Sequence, residues 1–78
     1  MHDYFGVVKN MICEKTGVEP DEVTHESYFQ DDLNISELEL IEVLTELEEK
    51  YQIDGLVDEI DNLASIQDLC DLLIEKIE

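Results

Sequence analysis

The chain has 78 residues and carries 22 Asp and Glu against 4 Lys and Arg, a formal net charge of −18. That length holds one small domain over residues 1–78, and the charge excludes a nucleic-acid backbone or an anionic membrane surface as a partner. Because 44% of the residues are hydrophobic, a folded core inside an anionic shell is expected, one that attracts basic partners.

No apolar run approaches the length of a membrane span. The start, Met1-His2-Asp3, lacks the basic region of a secretion signal, so a cytoplasmic location is expected. Phe5, Val8 and Ile12, flanked by Val7, Met11 and Cys13, recur at the spacing of one helical face and predict a helix over Tyr4–Thr16. Gly6 weakens this helix by about 1 kcal/mol relative to Ala, and Gly17 ends it by accepting a left-handed conformation. A loop from Val18 to Ile35 follows. Pro20 opens a single turn in it, and Val23, Tyr28, Phe29 and Leu33 are expected to pin it into the core.

The second helix is the clearest. Leu38, Ile41, Leu44 and Leu47 form a stripe that Leu40, Val43 and Tyr51 extend, and Ser36 with Glu39 makes a capping box at its start. Glu37, Glu39 and Glu42 suit the positive end of the helix dipole, whereas Glu48 and Glu49 oppose the negative end. Gln52, Ile53, Asp54 and Gly55 turn the chain. Leu56 to Asp61 reads as a short helix with Leu56, Val57 and Ile60 inward. Ser65 and Asp68 then cap a last helix over Ile66–Ile77, with Ile66, Leu69, Leu73 and Ile77 as its stripe and Cys70, Leu72 and Ile74 beside it. No segment alternates for long enough to form a strand. The fold class is all-α: three longer helices, one short helix and a long first loop.

Catalysis has little to work with. His2 is at the terminus, His25 is in a polar loop, and neither has a nucleophile nearby in sequence. Ser36 and Ser65 are accounted for by capping, and no glycine-rich phosphate cradle is present. Cys13 and Cys70 sit inside apolar helical patterns and read as core residues; a reducing compartment argues against their pairing. Asp32-x-Asn34-x-Ser36 opens like a calcium loop, but Glu37 stands where that turn needs Gly and Val43 where a bidentate Glu belongs. No specific metal site is expected, only weak divalent binding along the acidic helix. Glu39, Glu42, Glu46 and Glu49 repel one another at helical spacing at a cost of several tenths of a kcal/mol per pair, roughly the size of a favourable ion pair. Lysines interspersed among them would have served solubility without that cost, which points to a docking face.

The layout resembles an acyl carrier protein over essentially the whole chain, without gaps. Val23-Thr24, Phe29 and Asp32-Leu33 look like that family's first loop. Leu38, Glu42, Val43, Leu47-Glu48-Glu49 and Tyr51 look like its second helix, and Ser65-Ile66-Gln67-Asp68 like the start of its last. Gly17-Val18 fits the end of its first helix. The resemblance implies a helical bundle, not an enzyme, that carries an acyl chain on a 4'-phosphopantetheine arm in pathways such as fatty acid or polyketide biosynthesis. It also implies a second helix that docks on basic surfaces of carrier-recognising enzymes, with the acidic docking positions falling on Glu39, Glu42, Glu48 and Glu49.

The attachment motif departs from the family. The family reads Asp-Leu-Gly-x-Asp-Ser-Leu, with the arm on the serine; this chain reads Asp32-Leu33-Asn34-Ile35-Ser36-Glu37-Leu38. Without gaps, Glu37 occupies the attachment position and Ser36 the motif's aspartate. A slip of one residue would bring Ser36 to the attachment point. It would also put Glu37 where Leu38 is expected to plug into the core, a rotation of about 100°. The preferred expectation is a divergent, monomeric acyl-carrier-like protein without phosphopantetheine at the usual position. The alternatives are a working carrier modified on Ser36, and an acidic interaction module unrelated to acyl metabolism.

Overall fold

In the computed structural model the described residues are 4–78; Met1, His2 and Asp3 lie outside them. Helix α1 runs Tyr4–Thr16, α2 Glu37–Tyr51 and α3 Ile66–Ile77. Short 3-10 helices occupy Pro20–Glu22 and Val57–Asn62. The single turn at Pro20 and the three long helices fall where periodicity and caps predict them. The expected short helix is present, begins one residue later than expected and is of 3-10 type. Among the described residues there is no strand, only an isolated bridge between Tyr28 and Ser65.

Helix ends follow from the local sequence. Thr16 hands over to Gly17, whose φ of +78° closes α1 with Gly17 N–H donating to the Cys13 carbonyl. Both capping boxes form. Ser65 Oγ accepts from Asp68 N–H at 3.3 Å while the Asp68 carboxylate accepts from Ser65 N–H at 3.2 Å. The remaining open amides of α3 are met by the long loop: Ile66 N–H donates to the Ser27 carbonyl and Gln67 N–H to the His25 carbonyl. The loop is therefore fastened to the head of α3 by its backbone as well as by its apolar side chains.

α1 packs against both α2 and α3, and α2 also packs on the 3-10 helix Val57–Asn62. The core gathers Val8 and Ile12 from α1, Leu44 and Leu47 from α2, Leu69 and Leu73 from α3, and Phe29, Ile35 and Leu56 from the connections. Several expected positions differ. Tyr4, not Phe5, leads the buried stripe of α1, because Tyr4, Val8 and Ile12 repeat at four-residue spacing. Phe5 is half-buried and stacks on His25 at 4.1 Å, so His25 has a packing partner inside its polar loop. Tyr28 is 51% exposed. Its backbone holds the loop instead, with its carbonyl accepting from Asp32 and Leu33 N–H, while Ile35 fills the core. Ile74 is also largely exposed. Cys13 and Cys70 form no disulfide, the first being half-buried and the second buried.

The largest correction concerns α2. Its buried residues are Leu40, Val43, Leu44 and Leu47, whereas Leu38 is 69% exposed. With Ser36 as the cap, Leu38 lies about 160° around the helix from Leu40 and faces away from the core. The expected plug at Leu38 is absent.

Candidate functional site

The head of α2 is built around Ser36. Its backbone is extended, and its Oγ accepts from Glu39 N–H at 3.2 Å. The same hydroxyl donates to Glu39 Oε1 at 3.1 Å, and the Ser36 N–H donates to that oxygen at 3.0 Å. The hydroxyl is exposed, but it is held in both directions by Glu39. Glu37 is the first residue of the helix proper, is exposed, and its carboxylate has no hydrogen bond or ion pair to another described residue. Asn34, two residues before the cap, has φ of +55°. That is a left-handed conformation, which Gly adopts freely and Asn tolerates better than most other residues.

Beside this helix head lies a cavity of about 280 Å³. Phe29, Ile35, Leu40 and Leu63 contribute apolar walls, and Ser36 and Glu37 line its edge. It is small by the standard of ligand pockets, which start near ~300 Å³.

The four acidic docking candidates separate into two pairs. Glu42 and Glu49 are exposed and carry no partner among the described residues; they lie on the outward side of α2 together with Leu38 and Thr45, at i, i+4, i+7 and i+11 spacing. Glu39 is half-buried and engaged in the capping box. Glu48 is half-buried, and its Oε2 accepts from Leu56 N–H at 2.9 Å and Val57 N–H at 3.5 Å. A carboxylate that opposes the dipole of its own helix thus serves the start of the next one, where an anion is favoured. Glu46 pairs with Lys15 of α1 at 3.6 Å. Sequence reasoning placed Leu38 in the core and so missed an exposed apolar residue on the acidic face. Spacing alone did not exclude this error, since Leu40, Val43, Leu44 and Leu47 satisfy the helical repeat without Leu38, and Leu38, Ile41 and Leu44 satisfy it with Leu38.

A family model described as "Phosphopantetheine attachment site" matches residues 6–73. Over 69 residues the chain is 33% identical to an acyl carrier protein of Bdellovibrio bacteriovorus, a match covering 88% of each chain. The chain belongs to the acyl carrier protein family. Among solved structures, the solution structure of the apo doublet acyl carrier protein from prodigiosin biosynthesis superposes with a TM-score of 0.81 at 20% identity. That match covers 94% of this chain and 35% of the other, so this chain spans about a third of the doublet protein. Acyl carrier proteins are carriers rather than enzymes, and this member is an all-α bundle of the expected kind. None of the helices among its described residues is long and apolar enough to cross a membrane.

The head of α2 offers a single hydroxyl to a prosthetic arm, and that hydroxyl is engaged in the helix cap. Attachment of phosphopantetheine makes a phosphodiester through a hydroxyl oxygen. Glu37 has none, and the nearest hydroxyl, on Ser36, is bound to Glu39.

Proposed function

We propose that this protein is a divergent acyl carrier that keeps the fold and the acidic recognition helix but does not carry phosphopantetheine at the usual position, and that acts by docking on basic surfaces of carrier-recognising enzymes. The observation that carries this reading is the register around Asn34. In the gapless alignment Asn34 stands at the motif's Gly, and it is the residue with φ of +55°. The slipped alignment would demand Gly character of Leu33, a buried residue outside the positive-φ set. The gapless register puts Glu37 at the attachment point, where its carboxylate supplies negative charge at the helix head without an arm. The docking face in this reading is Glu42 and Glu49 with exposed Leu38 at its N-terminal end; Glu39 and Glu48 contribute field while serving as caps.

The alternative, a working carrier with 4'-phosphopantetheine on Ser36, draws support from the exposure of that residue at the cavity edge and from the family model it matches. It requires the Ser36 hydroxyl to leave Glu39.

Calorimetric titration of the protein into a phosphopantetheinyl transferase tests the docking. Saturable binding that weakens with salt is expected, and Glu42→Lys with Glu49→Lys lowers affinity by about tenfold or more, equivalent to ~1.4 kcal/mol. Binding indifferent to both charge reversals, or no binding at all, would overturn it.

A further inference from the structure

The two capping boxes of this chain differ by one hydrogen bond. At the head of α3 the Ser65 hydroxyl accepts from Asp68 N–H at 3.3 Å. The Asp68 carboxylate accepts from the N–H groups of Ala64 at 3.0 Å and Ser65 at 3.2 Å. Among the described residues no bond joins the Ser65 hydroxyl to that carboxylate. At the head of α2 the corresponding residue is Glu39, longer by one methylene. Its Oε1 accepts from the Ser36 N–H at 3.0 Å and also from the Ser36 hydroxyl at 3.1 Å, while Glu39 N–H donates to the same hydroxyl at 3.2 Å. A serine hydroxyl has one hydrogen and two lone pairs. Here the hydrogen and one lone pair are committed to a single residue, which fixes Oγ over the first turn of the helix. Capping itself needs only the two backbone N–H contacts, as Ser65 and Asp68 show, so the hydroxyl-to-carboxylate bond is an addition.

We infer that Glu39 is a positioning residue that withholds the Ser36 hydroxyl from modification, and that the length of its side chain sets this. The inference rests on the reading above that the native chain carries no arm, and it names what restrains the exposed hydroxyl at the head of α2. Transfer from coenzyme A would join Ser36 Oγ to the phosphorus bearing the pantetheine and break the pyrophosphate bond. Adenosine 3',5'-bisphosphate would leave, and the hydroxyl proton would pass to a base of the transferase. For this, Oγ must turn out from the first turn towards the incoming phosphorus. With Glu39 in place that rotation gives up a donor contact and an acceptor contact together. Glu39→Asp keeps the negative charge and both backbone contacts of the box, in the form that Asp68 already shows, and releases the hydroxyl hydrogen.

The test follows intact mass over time with coenzyme A and a phosphopantetheinyl transferase, for the native chain, Glu39→Asp and Glu39→Gln. Rates are compared at saturating transferase, so that differences in docking affinity do not enter, and thermal unfolding confirms that each chain is folded. Glu39→Asp should gain the phosphopantetheine increment about fivefold or more faster than the native chain, a factor on the scale of one net hydrogen bond. Adding Ser36→Ala to Glu39→Asp should abolish that gain. Glu39→Gln, whose amide oxygen can accept the same two bonds, should stay as slow as the native chain. A general effect of weakening the cap would not separate the two variants in this way. Equal behaviour of Glu39→Asp and the native chain, slower modification of Glu39→Asp, or Glu39→Gln modified as fast as Glu39→Asp would overturn the inference. An increment in the native chain would contradict the proposed function instead, and the inference would then stand or fall on the ratio of the two rates.

Discussion

Glu37, Ser36 and Asn34 together set the chemistry of the helix head. Asn34 turns the chain, Ser36 closes the first turn, and Glu37 projects an exposed carboxylate from the start of the helix. The sequence made the Ser36 cap accessible because capping depends on near neighbours, whereas the left-handed turn at Asn34 was seen only in the structure. It did not reveal the internal work of Glu48, since its partners Leu56 and Val57 arrive only when the chain folds back. Gln52 illustrates a local cost at the other end of α2. It caps that helix with φ of +56°, a conformation that charges a Cβ-bearing residue about 1 kcal/mol. Gln52→Gly is expected to raise stability by about 0.5 kcal/mol after the greater freedom of unfolded Gly is counted, measurable as a higher urea midpoint at unchanged slope.

At the scale of elements, all three helices were legible from apolar spacing and their flanking caps. The phase of α2 was not. Leu38, Leu40, Ile41, Val43, Leu44 and Leu47 admit two overlapping stripes, and only packing against α1 and Val57–Asn62 decides which faces inward. The long loop was placed correctly, but its fastening was not foreseeable from side chains, because it relies on backbone carbonyls of His25 and Ser27 meeting α3. The two capping serines therefore differ in what depends on them. Ser36→Ala removes an exposed cap and should cost about 1 kcal/mol. Ser65→Ala sits where the loop crosses α3 and is itself buried, so a loss nearer ~2 kcal/mol is expected. Chemical denaturation of both variants gives the comparison; equal losses would mean that the loop contacts do not draw on Ser65.

Across the whole molecule, a charge of −18 is tolerated because the carboxylates spread over the surface of a body 28 × 26 × 20 Å while the core stays apolar. The start of α1 and the end of α3 are joined by a hydrogen bond in which Tyr4 Oη donates to Glu78 Oε2 at 2.8 Å. Burial, with help from the Glu78 carboxylate, pushes the Tyr4 phenol up from 10.0 to about 12. A phenol whose folded value is raised contributes fully below pH 10 and loses that contribution as pH climbs towards 12. Stability should therefore fall through this alkaline window, and Tyr4→Phe should flatten the fall; an unchanged profile in the variant would contradict this role for the hydrogen bond.

The central claim is that the fold and recognition helix persist while the arm is absent from its usual place. The most direct measurement is the intact mass after incubation with coenzyme A and a phosphopantetheinyl transferase. The account predicts no mass increase in the native chain, and a phosphopantetheine increment in the variant carrying Ser36→Asp and Glu37→Ser, which restores the family's motif. A clean increment in the native chain, lost in Ser36→Ala, would contradict it.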